Sequence, residues 1–186
     1  YNIVDRIYIG HIPGIGTDAL AGIGVTSAVI ILISSFSAIV GAGGSPLAAI
    51  ALGQGNRECA GQILGNGFIL LLIFTILTSA TTYLFMEPIL LFTGASENTI
   101  GYATDYLSIY LLGTLFVELS VGLNTFINTQ GRPTIAMYSV LIGAILNIGL
   151  DPLFIFTFGM GVKGAALATI LSQACSAIWV ISFLTS

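Results

Sequence analysis

Charge is what this sequence lacks. Only 6% of its 186 residues are Asp, Glu, Lys or Arg, four of them basic and eight acidic, where a soluble domain carries about 25%. With 56% apolar residues and a mean hydropathy of +1.04, a water-facing surface for a chain of this length cannot be assembled. No basic patch exists, which argues against nucleic acid as a ligand. Cysteine and histidine are equally scarce. Cys59 and Cys175 have no metal-binding spacing and read as small packing residues. His11 sits alone in a Gly/Pro turn and reads as a solvated loop residue. No nucleophile–base, metalloprotease or phosphate-loop pattern occurs, so no enzyme chemistry and no cofactor are expected.

What is present is a series of long apolar runs. Each of five is long enough to cross a bilayer, which takes about 20 residues. The sequence predicts an all-α, polytopic membrane protein with a first helix over about 1–10, then helices over about 17–52, 59–85, 99–127, 134–158 and 165–184. The second helix carries Gly41-Ala-Gly-Gly-Ser-Pro46, which is expected to kink it, and Thr17 is its expected N-cap. Residues 87–98 read as an acidic, turn-rich connection. Gly61 and Gly65 form a G-x-x-x-G pair suited to close helix packing. Without an initiator Met, and with a first apolar segment too short to span, the chain is expected to be part of a longer protein. Arg57 and Arg132 lie in the second-to-third and fourth-to-fifth loops, which the positive-inside tendency places in the cytoplasm.

Ionisable groups within a membrane helix cost roughly 2.5–3.5 kcal/mol on insertion scales and call for a partner or a purpose. Asp5, Arg6, Glu118 and Asp151 are such groups. Counting down from the helix ends at about 1.5 Å per residue puts Asp5, Asp151 and Thr169 in one layer of the outer half. Asn147 and Tyr1 lie four residues before Asp151 and Asp5, on the same helix faces. Spacing therefore allows one polar cluster of Tyr1, Asp5, Asn147, Asp151 and Thr169. Two carboxyls close together in a low-dielectric site do not both ionise easily. Such a pair can hold a proton or accept a cation, with Asn, Thr and backbone oxygens completing a hard-cation shell. Pro152 removes a helix hydrogen bond and permits a bend. The competing reading is that both acids snorkel to water from helix ends. Glu118 stands apart, either packing helices or lining a water-filled cavity. Arg6 either snorkels or pairs with an acid.

The segments YNIVDRIYIG (1–10), GAGGSPLAAIALGQGN (41–56), NTFINTQGRP (124–133), LNIGLDPLFIF (146–156) and GMGVKGAALATILSQ (159–173) together resemble the prokaryotic multidrug and toxic compound extrusion (MATE) transporters. The resemblance implies twelve helices in two six-helix lobes, of which residues 1–186 would be the N-terminal lobe with a partial first helix and no C-terminal lobe. It implies a multi-pass protein of the cell membrane, in contact with lipid. Its implied activity is export of cationic or amphipathic small molecules in exchange for H⁺ or Na⁺, with the C-terminal lobe as missing partner. The family's coupling-ion site falls on Asp5, Asn147, Asp151 and Thr169, with Tyr1 nearby. Tyr106 and Asn124 match positions lining the lobe cavity. A lipid-linked-precursor flippase is the alternative, disfavoured because four basic residues are too few to hold phosphate. A structural membrane subunit would leave the acidic pair unexplained.

Overall fold

The structure is a computed structural model that describes residues 2–185, the side chain of Asn2 excepted. Within them every regular element is helical, with no strand. The elements are α1 (Asn2–Gly10), α2 (Gly16–Gly53), α3 (Arg57–Leu84), α4 (Met86–Phe92), α5 (Ile100–Thr129), α6 (Pro133–Pro152), a π-helical turn (Leu153–Thr157) and α7 (Val162–Leu184). Five stretches are long and apolar enough to cross a membrane: α2, α3, α5, α6 with the π turn, and α7. Leu32, Ile76, Leu112, Ile145 and Ile178 stand on the outside of these helices, each at least 62% exposed. Apolar surface in that quantity is lipid-facing surface.

Of the five, α5 is central. It packs against α7, α2, α3 and α6, and 67% of its spanning window is buried, against 17% for α3 and 22% for α6. Backbone proximity makes this possible. A Cβ on Gly113 would lie 2.3 Å from the Ile170 side chain, so α5 and α7 can approach only because residue 113 has no side chain. Two apolar clusters fill the interior. One, with Ile9, Tyr106 and Ile155, lies toward the end where α1 turns into α2. The other, with Leu71, Phe126 and Val180, lies toward the end that carries Arg57 and Arg132.

Several elements depart from what the pattern suggests. The segment 87–98 is not all turn, because Met86–Phe92 is helical. Pro88 falls in the first turn of that helix, where its missing N–H costs nothing, and Met86 and Leu90 bury against the core. The second helix keeps its helical backbone through Gly41–Pro46, as a helix bent at proline also does. Its glycines act there as contact points, since a Cβ on Gly44 would meet the Phe126 ring at 2.7 Å. Thr17 is not its cap. The helix starts at Gly16 behind Ile15, with no side-chain cap bond. The real side-chain cap is Asn56, whose carbonyl oxygen accepts the Cys59 N–H at 3.0 Å and starts α3 two residues early. Gly61 and Gly65 do not pack helices, for a Cβ at either meets nothing within 4 Å. Helix α5 continues through Thr129, and α7 begins at Val162.

The largest departure follows Pro152. The expected helix over 134–158 is α-helical only to Pro152 and then widens into a π turn. Proline leaves the Ile148 carbonyl without its usual donor, and the chain beyond it pairs at longer range. The Phe158 N–H reaches the Leu153 carbonyl at 2.9 Å and the Met160 N–H reaches Phe154 at 3.0 Å. Gly164, at the start of α7, sits against this turn so closely that a Cβ would lie 2.7 Å from the Phe154 carbonyl carbon.

Candidate coupling site

Twelve residues carry formal charge, and Asp5, Glu118 and Asp151 are the ones that are buried. Asp5 lies on α1 beside Ile9, four residues on, and both are fully buried where α1 meets α2, α6 and α7. Asp151 and Asn147 share the inward stripe of α6, and Thr169 faces them from α7. Asp5, Asn147 and Asp151 have no exposure at all, and Thr169 has 4%.

The four residues form one hydrogen-bonded group. Thr169 donates its hydroxyl to Asp5 Oδ2 at 2.8 Å. Asn147 Nδ2 lies 3.2 Å from Asp151 Oδ1 and 3.4 Å from Thr169 Oγ1. The Asp151 carboxyl is also within direct electrostatic reach of Asp5. Two carboxyls this close in a buried site can share a hydrogen bond only if one of them carries a proton. Asp5 Oδ1, Asp151 Oδ2 and Asn147 Oδ1 have no hydrogen-bond donor. Buried acceptors left bare are costly, and bare buried charges more so. A proton held between the carboxyls, or a small hard cation among these oxygens, removes that cost. The donor set is all oxygen, which suits Na⁺ as well as a proton. No group of three or more His, Cys, Asp or Glu occurs among the described residues.

Tyr106 belongs to this group too. Expected as a cavity-lining residue, it is fully buried on α5 and donates its hydroxyl to Asp5 Oδ2 at 2.9 Å. Its ring stacks on Tyr110, one turn on, at 6.0 Å. The sequence signal that could have found it is this pair of tyrosines at i, i+4 in a helix buried on most sides. Asn124, the other expected cavity residue, sits elsewhere. It is half-buried and ties α5 to α6 by donating to the Ala136 carbonyl at 2.9 Å and to the Ser139 hydroxyl. Tyr1 lies outside the described residues. Pro152 sits directly after Asp151, so the π turn begins at the edge of the acidic pair.

Glu118 is 2% exposed at the contact of α5 with α2. Ser34 donates to its Oε1 at 3.0 Å and Ser37 to its Oε2. It packs helices and does not border open water. Arg6 is exposed and donates to the Ser27 hydroxyl at 2.6 Å, so its partner is a neutral group on α2. His11 is exposed, with Nδ1 2.6 Å from the Ile7 carbonyl. Cys59 and Cys175 are free thiols, the first half-buried and the second exposed on α7.

Comparison with known proteins decides the family. The MatE family model matches residues 1–153. The chain belongs to the MatE family. It is 34% identical to a protein of Shewanella oneidensis named FAD transporter, over 92% of this chain and 38% of that protein. It is 28% identical to multidrug export protein MepA of Staphylococcus haemolyticus, over 98% of this chain and 40% of that one. Among solved structures, a MATE transporter in a bent conformation superposes with a TM-score of 0.92 at 30% identity, covering 98% of this chain and 40% of its own. The chain thus spans about two fifths of the length of the relatives it matches. Its fold is that of one lobe of a MatE transporter, and it is a multi-pass membrane protein.

Proposed function

We propose that residues 1–186 are the N-terminal, ion-coupling lobe of a secondary antiporter that exports cationic or amphipathic organic compounds in exchange for H⁺ or Na⁺. The observation that carries this reading is the buried Asp5–Asp151 pair, with three acceptor oxygens facing no donor. Family membership supports an exporter, and relatives are named for multidrug export. A second, C-terminal lobe would complete the substrate path. The arginine-bearing loops would face the cytoplasm.

Coupling follows from a difference in affinity between two conformations. Binding a proton or Na⁺ at the pair neutralises Asp151 and changes what the neighbouring π turn is packed against. Pro152 has already broken the helix at that point, so the segment can bend without losing further backbone bonds. The conformer with the ion bound would hold substrate less well, and substrate release would then follow ion entry.

The relative named FAD transporter raises a second reading, an anionic dinucleotide as cargo. Such a cargo needs cationic side chains in the path. Arg6, Arg57, Arg132 and Lys163 are all exposed here, so this lobe offers little to hold phosphate, and the flippase alternative is disfavoured for the same reason.

Replacing Asp151 with Asn in the full-length transporter tests the proposal. Drug resistance should be lost while the protein still reaches the membrane. Unaltered resistance in that variant would sink the mechanism.

A further inference from the structure

The inward stripe of α6 is polar beyond the acidic pair. Below Asp151 its buried residues at four-residue steps are Asn147, Gly143 and Ser139. On α7 the facing stripe descends from Thr169 to Ser172 and Ser176, spaced three and four residues apart on one helix face. Ser139, Ser172 and Ser176 all have no exposure. The two stripes touch at both ends. Asn147 meets Thr169 at 3.4 Å, and Ser176 donates to the Ser139 carbonyl at 2.7 Å.

Between these contacts the seam holds polar atoms with nothing to bond. Ser172 Oγ and Asn147 Oδ1 are buried and without a partner. Interior polar atoms of this kind are ordinarily met by buried water. Further down, Asn124 donates to the Ser139 hydroxyl, and exposed Asn128 lies 3.5 Å from Asn124 Oδ1. Asn128 is followed directly by Thr129 and Gln130, which line an open cleft of about 1010 Å³ at the arginine-bearing end. From Asp151 to Ser139 is twelve residues, about 18 Å of helix. Serine and glycine on facing stripes also let the helices pack closely; what packing leaves unmet are the buried Ser172 Oγ and Asn147 Oδ1.

We infer that the α6–α7 seam holds a file of ordered waters that exchanges protons between the Asp5–Asp151 pair and the aqueous side bearing Arg57 and Arg132. This rests on the coupling role proposed for that pair. Hydroxyl and amide groups donate and accept alike, so a water beside Ser172 can pass a proton in either direction. Among the described residues the titratable groups facing the seam are Asp5, Asp151 and Tyr106 at its head, and Arg132 stands beside its mouth over the Phe183 ring. The pair would thus have a route to one aqueous side that does not run through the substrate cavity.

The test uses the full-length transporter in proteoliposomes, with Cys59 and Cys175 changed to Ala. Ser172→Cys and Ser176→Cys are exposed to silver ion, then denatured and alkylated. Silver should protect both thiols at least about tenfold faster than it protects Ile178→Cys on the lipid face, and a lack of protection at both would overturn the proposal. In parallel, Ser172→Val should slow proton-driven export about tenfold while Ser172→Ala stays near the parent rate. An unchanged rate in Ser172→Val also overturns the seam route. Asp151→Asn separates the two ideas: if it keeps its ion dependence, the coupling role fails, while the silver reaction still reports whether the seam is wet. If Ser172→Val does not fold, the two cysteine variants decide.

Discussion

The molecule buries acid in two places and treats it differently in each. At the α2–α5 contact, each oxygen of Glu118 receives a serine hydroxyl, and every neighbour needed for that comes from two packed helices. At the α1–α6–α7 junction, Asp5 receives Tyr106 and Thr169 on a single oxygen, and its other oxygen and one of Asp151 receive none. A carboxyl with every oxygen met is a structural tie. The Asp5–Asp151 pair keeps two buried carboxyl oxygens with no donor, which is the feature that the proposed proton or cation would meet. Burial is common to both places; incomplete satisfaction is what separates the Asp5–Asp151 pair from Glu118.

This contrast can be broken most directly by swapping each acid for its amide. Asp151→Asn should lower ion-driven export by roughly 100-fold or more, of order 3 kcal/mol in transport free energy, with thermal stability near wild type, measured by substrate efflux and by detergent-extracted melting. Glu118→Gln should do the reverse. Losing hydrogen bonds to a charged group costs about 1.5–3 kcal/mol of stability, seen as a lower melting temperature, while the transport that survives keeps its ion dependence. If Glu118→Gln abolishes ion dependence at unchanged stability, the two acids are not different in kind.

Smaller changes sharpen the same comparison. Tyr106→Phe removes one of the two donors on Asp5 Oδ2 and should shift ion affinity about 3- to 10-fold, as expected for a hydrogen bond worth about 0.5–1.5 kcal/mol, read from the ion concentration giving half-maximal export. Ser34→Ala should lower the melting temperature by the equivalent of about 1 kcal/mol without changing that concentration. Lys163→Ala, which breaks the half-exposed pair with Asp105 at 3.3 Å, should cost at most about 1 kcal/mol and leave export intact.

Much of this was legible in the residues. Five apolar runs correspond to five spanning helices, and depth counted along them puts Asp5, Asp151, Thr169 and Asn147 in one place, where the folded chain also holds them. Three things were hidden, each for a physical reason. The short helix α4 lay under Pro88 and Gly94, because proline in a first turn looks like a breaker in sequence and is not one in space. The π turn was hidden because pairing at i+5 leaves no periodic mark in five residues, four of them apolar, LFIFT. The bond from Tyr106 to the acidic pair was hidden because its partner is 101 residues away. Ser34 and Ser37, spaced three apart on one face of α2, were readable as a polar spot, but only the packing of α5 against α2 shows that Glu118 fills it.

The most direct measurement reconstitutes the full-length transporter and its Asp151→Asn variant in proteoliposomes and imposes a pH gradient and a Na⁺ gradient separately. One or both inward ion gradients should drive export in the parent protein, and neither should in the variant, at equal insertion. Gradient-driven export by Asp151→Asn at the parent rate would contradict the proposed coupling role.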